Sequence, residues 1–496
     1  MRNLLNLLLY IFLYASISHS QSQAKIADIK LKNGSYIFIV NHEFRLKYGI
    51  AFPLTYKFNI ESMDRGLIAE EKHSSKDLWE VMSEKKEGDF FNDVEAVRFD
   101  YGNHYAFASA SFGNSDSLFI KISSSNGNSV ESSYEGITKY YDNRQAAVTI
   151  TADDWLNGYN DLFPPLLELF RSYSLYVTVG VVTKYLTSST WNEIQVQLDK
   201  GYIEVSSHSR THPFIPYPDP YGEVIGSVND ITSNLELPTY YNINNREYVY
   251  VWIAPSGEYD STVDSLLGLS SYLAARLYEN LPTDTPRVYI YGDSVFSEWS
   301  ISDNHFKPFL PTVEIGAPSW GGGDTSLTSL NNLFDSVVKQ EGIYHLMWHP
   351  QVIYDDQNKL YLLNHLKHIS IHPGLWYVNL GPLYLYHMIQ NVNSSPITGF
   401  KERIVEHEFH SYKLEQNYPN PFNPFTTIRF ELLNNAAVNV TIYNLLGEKI
   451  KVLIDKNLNE GIHEVRFNGS NLTSGIYFVK LTAGNEIFIR KMMLLK

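Results

Sequence analysis

The chain has 496 residues, with 39 Lys or Arg against 54 Asp or Glu for a formal charge of −15, and no cysteine. At about 150 residues per domain this length suggests three domains, and the acidic balance removes the attraction behind non-specific nucleic-acid binding. The missing cysteines exclude disulfides, thiolate zinc sites, iron–sulfur clusters and Cys nucleophiles, so any metal must sit on His and carboxylate.

Arg2 is followed by an apolar run from Leu4 to Ile17 and then by Ser18-His19-Ser20, small residues where a signal peptidase cuts. Residues 1–20 therefore read as a signal peptide. An uncleaved anchor is the alternative, but the run is shorter than the roughly 20 residues a spanning helix needs. No later segment is apolar enough to span a bilayer, so the mature protein is expected to be exported, with no transmembrane helix.

Residues 24–142 follow mostly a period of two. Val97, Phe99 and Tyr101 alternate with Arg98 and Asp100, and Gly102-Asn103 offers a turn into the run from His104 to Phe112, which predicts a hairpin. Ser35 to Asn41, Leu54 to Ile60 and Leu118 to Ser123 also read as strands, and Asp77 to Glu84 as a short helix. A β-rich N-terminal domain is expected.

Over residues 145–391 strands alternate with helices, the mark of βαβ units. Ala146 to Thr151, Tyr176 to Val182 and Tyr202 to Ser206 read as buried strands, and Phe163 to Tyr173 as a helix. Thr190 and Glu193 form a capping-box pair opening a second helix with Trp191, Ile194 and Leu198 on its apolar face, and Gly201 ends it. Residues 392–412 are polar and aperiodic and read as a linker. Residues 413–496 read as a β-sandwich of short strands at Ile428 to Leu432, Ala437 to Tyr443, His463 to Phe467 and Ile476 to Thr482, with Gly447, Gly461, Gly475 and Gly484 in the turns. The expected fold class is multidomain, α/β flanked by all-β.

Two polar clusters follow buried strands, where parallel-sheet enzymes place their chemistry. Thr151-Ala152-Asp153-Asp154-Trp155 offers adjacent carboxylates, one able to ligate a cation while its neighbour takes a proton from water. Acidic pairs at strand ends are also common turn formers and helix caps. His208-Ser209-Arg210-Thr211-His212 offers two imidazoles four residues apart. That spacing alone is weak, because 16 His in 496 residues give about half such a pair at random, and His345/His349 and His368/His372 share it. His345 and His349 straddle an apolar strand-like run, where such residues stand roughly 13 Å apart, too far for one metal. Pro373 and polar neighbours make His368/His372 a surface helix end or loop. The first two clusters together supply one carboxylate and two imidazoles, a catalytic-type set with an open position. A glycosidase is a rival reading, but it needs two acids about 5 to 10 Å apart across a sugar.

On these residues the stretch from Ala146 to Asn391 resembles the polysaccharide deacetylases of the NodB-homology type. The family's Thr-Phe-Asp-Asp motif appears as TADD at Thr151 to Asp154, and its His-Ser/Thr-x-x-His motif as HSRTH at His208 to His212. The resemblance implies an irregular (β/α) barrel holding a divalent metal, commonly Zn2+, on Asp154, His208 and His212, with Asp153 as general base. The late motif looks like "YHLMWHPQ", which makes His349 the general acid. The family's Arg-x-Pro-x-Gly reads Ile253-Ala254-Pro255-Ser256-Gly257, so the Arg that orients the base is missing while Pro255 and Gly257 keep the turn. Glu298-Trp299 is the nearest match to an acidic-Trp motif that lines the site. Trp155, Tyr217 and Trp320 offer rings for sugar stacking, with core packing as the plain alternative.

The last 80 or so residues, with "NYPNPFNPFTTIRFEL", "VTIYNLLGEKI" and "TSGIYFVKLTAG", resemble the C-terminal sorting domains of type IX secretion substrates. The resemblances together imply a secreted or surface-displayed carbohydrate deacetylase whose partners are an acetylated polysaccharide and the type IX secretion machinery. The alternative is a catalytically impaired deacetylase-like protein acting as a surface carbohydrate-binding module.

Overall fold

The computed structural model describes residues 26–276, 288–289, 312–315, 326–390 and 413–495, apart from short gaps within these ranges. The expected signal peptide and the linker at 392–412 lie outside the described residues. The chain divides into two compact units, Met1–Ser395 and Pro396–Lys496.

The first unit opens with two five-stranded sheets packed through apolar inner faces. One runs Ile26–Lys30, Tyr36–Val40, Ser117–Ser124, Leu67–Lys72, Glu80–Val81, and the other Ser132–Ile137, Leu54–Ile60, Tyr105–Ala110, Ala96–Asp100, Ser83–Lys85. Alternating residues such as Phe38, Tyr56 and Phe58 are buried between them, with Phe38 and Tyr56 4.4 Å apart between ring centroids. The helix expected over Asp77 to Glu84 is instead two short strands, Glu80–Val81 and Ser83–Lys85, on the edges of different sheets. Met82 between them is buried and its N–H bonds to the Ala69 carbonyl at 2.9 Å, so tertiary pairing overrides local helix preference.

The α/β part of the same unit is a nine-stranded sheet. Its strands are β1 (Ala146–Trp155), β2 (Val177–Val181), β3 (Ile203–Ser207), β4 (Val251–Ile253), β5 (Ala274–Arg276), β6 (Val288–Tyr289), β7 (Thr312–Ile315), β8 (Ile343–Trp348) and β9 (Leu375–Tyr377). The order is β5-β4-β3-β2-β1-β8-β7-β6, with β9 also on β1, and every pairing but β6–β7 is parallel. This is an open (β/α) half-barrel. Strands β2, β3, β4 and β8 are buried throughout, as parallel strands covered on both faces must be, which is why they read as continuous apolar runs. The helices are α1 (Phe163–Ser172), α2 (Ser188–Asp199), α3 (Ser227–Asn234), α4 (Ser261–Leu269), α5 (Leu327–Lys339), α6 (Pro350–Asp355), α7 (Leu360–Ile369) and α8 (Leu380–Gln390). Helix α2 starts three residues earlier than the Thr190 pattern predicts, because Thr187 is the N-cap and its Oγ1 accepts from Thr190 N–H at 3.3 Å. Among the described residues no helix is long and apolar enough to cross a membrane.

A buried acid fastens the β-sandwich to this sheet. Asp142, at φ +63 and fully buried, accepts from Arg98 at 2.9 Å, from the Phe91 N–H at 2.5 Å and from Arg144 at 3.3 Å. Tyr386 of α8 reaches Thr138, its hydroxyl donating to the Thr138 carbonyl at 3.0 Å.

The second unit is a small all-β body with a three-stranded sheet (Lys413–Leu414, Phe425–Leu432, Gly461–Asn468) and a four-stranded one (Lys449–Leu458, Ala436–Asn444, Gly475–Ala483, Glu486–Leu494). Ile428, Phe430, Leu432, Val440 and Leu481 are among its buried residues.

Candidate active site

The carboxylate pair stands on a bulge. Pairing of β1 with β2 runs Thr151–Thr178 and Ala152–Val179, then resumes at Trp155–Val181, so Asp153 and Asp154 together face one residue, Gly180. Asp154 takes φ +67, a region that L residues rarely adopt. A Cβ at Gly180 would lie 3.2 Å from His208 Cβ and 3.1 Å from Ile253 Cδ1, so glycine lets the His208 side chain pass over the strand.

His208 follows β3 directly and is buried. Its Nδ1 stands 2.9 Å from the Ile253 carbonyl; a carbonyl only accepts, so Nδ1 donates there, and Nε2 is the nitrogen left to face Asp154 or an ion. That Nε2 is 3.4 Å from Asp154 Oδ1, and His212 Nε2 is 3.6 Å from the same oxygen. The three ligand atoms lie within 4.8 Å of one another. Among the described residues this is the group of His and carboxylate side chains able to share an ion. Two imidazoles and one carboxylate suit a borderline divalent ion such as zinc.

The loop that carries the imidazoles is pinned from below by residues that the sequence patterns did not flag. Glu223 accepts the N–H groups of Arg210 and Thr211 at 2.8 and 2.9 Å and the Thr211 hydroxyl at 2.6 Å. Asp230 of α3 accepts from Arg210 Nε at 2.8 Å and from the Thr183 hydroxyl at 2.6 Å. Ser209 and His212 both take positive φ, +65 and +56, so backbone strain gathers at the candidate ligands and is held there by these bonds.

Asp153 lies in a different environment. It is buried, and Arg276, the last residue of β5, donates through Nη2 to its Oδ2. Ile253 and Arg276 are direct partners across β4–β5, so a guanidinium stands one strand over from the position that the family pattern assigns to it. Burial pushes the Asp153 carboxyl up, but Arg276 first, then His208 and His349, outweigh that and hold it below the usual carboxylate range. Asp154 is likewise lowered: burial opposes it, and the hydrogen bond and charge of His208 and the charges of His349 and His212 win. His349 Nε2 is 3.9 Å from Asp153 Oδ2, with its side chain partly exposed. His345 is buried on β8, 3.0 Å from the Thr151 hydroxyl, and burial, then Arg276, push it down to about 3; it belongs to the core and not to the ligand group.

The aromatic expectations fare differently. Trp155 has no exposed surface, stacks on Phe163 at 4.4 Å and 5°, and bonds through Nε1 to Asn160 at 3.1 Å. It is a core residue, because the bulge returns the strand to its buried phase at this position, and it is not a sugar platform. Tyr217 is buried too, as are Pro255 and Gly257 in the turn after β4. Glu298, Trp299 and Trp320 lie outside the described residues. Among the described residues, exposed rings in the segments after β2 and β3 include Tyr185, 69% exposed, Phe214, 77% exposed, and Tyr221, 46% exposed.

Comparison with known proteins bears first on the second unit. Residues 416–495 match the family model of the secretion system C-terminal sorting domain. The chain carries a secretion-sorting domain. The protein is accordingly exported, to the cell surface or the medium. No curated protein matches the chain. Among solved structures it is similar to a candidate polysaccharide deacetylase from Mycobacterium smegmatis at 13% identity and TM-score 0.35, over 52% of this chain and 95% of the other. It is also similar to Puue allantoinase at 12% and 0.32, over 49% and 90%. A third similarity is to a CE4 family pseudoenzyme from Bacillus anthracis at 14% and 0.29, over 50% and 68%.

Proposed function

We propose that the α/β domain is a metal-dependent hydrolase that removes N-acetyl or O-acetyl groups from a polysaccharide outside the cell, and that the C-terminal unit delivers it through the type IX machinery. The observation that carries this reading is the split of the carboxylate pair. Asp154 stands with His208 and His212, whereas Asp153, its sequence neighbour, is held by Arg276 and lies 3.9 Å from His349.

Asp154, His208 and His212 would hold the ion, and with the His208 hydrogen on Nδ1 the donor set fits it. When bound, such an ion supplies Lewis-acid charge that acidifies water and stabilises negative charge growing on the acetyl carbonyl oxygen. Asp153 takes the proton of the attacking water; Arg276 keeps it ionised and fixes its Oδ2, leaving Oδ1, which has no hydrogen-bond partner among the described residues, as the accepting atom. His349 gives a proton to the departing sugar nitrogen or oxygen. Arg276 thus does from β5 what Ile253 cannot do from β4, and this favours a working hydrolase over a protein that only binds sugar.

The test is acetate release by the purified protein lacking residues 1–20, on acetylated chitooligosaccharides, peptidoglycan and xylan, with and without chelator and added Zn2+. Acetate that vanishes with chelator and returns with Zn2+ is expected on at least one substrate. Sugar affinity without acetate, in protein that binds Zn2+, would mean a carbohydrate-binding module instead.

A further inference from the structure

Gln351 lies two residues beyond His349, in the first turn of α6, and its Nε2 stands 3.1 Å from Asp154 Oδ2. A carboxylate oxygen only accepts, so the amide N–H is the donor. The other end of the amide, Oε1, is buried with no hydrogen-bond partner. The bond to Asp154 is therefore the one hydrogen bond of this side chain among the described residues. A glutamine that served only the packing of α6 would tie both ends of its amide or turn them to water, since a buried unsatisfied carbonyl is unfavourable. This one leaves its carbonyl unsatisfied and commits its donor to a candidate ligand.

The two oxygens of Asp154 are thereby distinguished. Oδ1 faces His208 Nε2 at 3.4 Å and His212 Nε2 at 3.6 Å, and Oδ2 is held by Gln351. We propose that Gln351 is a positioning residue for the metal centre: it holds Oδ2 so that Oδ1 is the oxygen presented to a divalent cation between the two imidazoles, and in doing so it sets the affinity of the site. The bond also ties the segment carrying His349 to the bulge carrying Asp153 and Asp154, so proton donor and ligand group keep a common frame. Partners that orient a ligand in this way typically change metal affinity 10–100-fold when removed. The proposal rests on the metal-centre part of the proposed function.

The experiment is a Zn2+ titration of the full chain against a competing chromophoric chelator, for wild type, Gln351→Met and Gln351→Asn, with the melting temperature of each metal-free protein measured alongside. Gln351→Met keeps the volume and removes the donor; Gln351→Asn keeps an amide but withdraws it by one methylene. Both are expected to bind Zn2+ about 10–100-fold more weakly than wild type, with metal-free melting unchanged for at least the Asn variant. Wild-type affinity, within threefold, in Gln351→Met would overturn the proposal. A loss confined to Gln351→Asn would overturn it too, because Met keeps the volume and the effect would then be packing, whereas a loss confined to Gln351→Met would support it, because only that variant lacks an amide donor. Should the Met variant lose metal-free stability, the Asn variant decides alone. A wild-type protein with no Zn2+ affinity would remove the proposed function itself, whereas tight wild-type binding matched by both variants removes only the role of Gln351.

Discussion

His208/His212 and His368/His372 have the same spacing and opposite fates. In the first pair the rings meet edge-to-face with centroids 4.7 Å apart, one nitrogen of His208 is held by a backbone carbonyl, and both Nε2 atoms converge on Asp154. In the second pair the centroids are 6.5 Å apart, His368 Nε2 is taken by the exposed Asp335 at 2.8 Å, and His372 Nε2 by the His368 carbonyl at 2.7 Å. Both rings of the second pair also pack on Phe334 at 5.5 Å. A spacing of four residues thus says little by itself. What makes a candidate ligand is a partner that occupies the ring nitrogen the ion does not need, on a loop stiff enough to keep the other nitrogen in place.

The largest effect that sharpens this comparison lies beside the first pair. Asp153→Asn keeps shape and leaves Asp154, His208 and His212 untouched, so acetate release should fall by about 10³-fold, within the span typical of a lost general base, while Zn2+ binding persists. Undiminished turnover in a steady-state acetate assay would sink the assigned role. The direct contrast comes next. His208→Ala should cost more than about 100-fold in Zn2+ affinity, beyond what outer partners contribute, whereas His368→Ala should leave it within twofold. Equal losses in the two variants would break the distinction drawn between the pairs.

How much of this was legible in the sequence depends on whether the information is local. Strands β1, β2 and β3 stand out because buried parallel strands are runs of apolar residues, and the ligand candidates stand out because they follow those strands at once. Arg276 does not, since it is separated from Asp153 by 123 residues and meets it only through the parallel neighbourhood of β4 and β5. The bulge at Asp153 and Asp154 is a matter of register, invisible until β2 is aligned with β1, and it is what turned Trp155 from a cleft residue into a core one. Lys449–Leu458 escaped for another reason. Its lysines and Asp455 blur the alternation because it is an outer strand of its sheet, where charge guards an open edge.

A smaller effect probes the stiffness of the loop. Glu223→Ala removes three acceptor contacts from Arg210 and Thr211 without touching a ligand. Zn2+ affinity should fall about 10-fold, with the His368 ring signals in NMR unchanged. An affinity equal to wild type would show that the loop holds its shape unaided.

A last effect, on stability and not on affinity, separates the site from the scaffold along one strand. Glu204 lies four residues before His208 on β3, is buried, and accepts from the Thr178 hydroxyl at 2.7 Å and from the Gly381 N–H at the start of α8 at 2.9 Å, while its Oε1 has no hydrogen-bond partner among the described residues. Burial pushes its carboxyl up to about 7, against those two hydrogen bonds. The folded protein therefore keeps this proton over a range where the unfolded chain, with an ordinary carboxyl, has already lost it. Between about pH 4.5 and pH 7 the folded state binds more protons, so the contribution of Glu204 to stability falls as pH rises through that window and is flat above it. Glu204→Gln cannot titrate and should lose this slope, a difference of up to about 3 kcal/mol between pH 5 and pH 8 relative to wild type. Glu71, also raised to about 7 by burial, adds a slope of the same sign in both proteins and cancels in the comparison. All eight Trp precede residue 396, so urea unfolding followed by Trp fluorescence reports on the first unit alone. Identical pH slopes in the two proteins would mean that Glu204 stays ionised in the fold. A parallel loss of Zn2+ affinity would mean that the base of β3 and the ligand loop at its other end do not act separately.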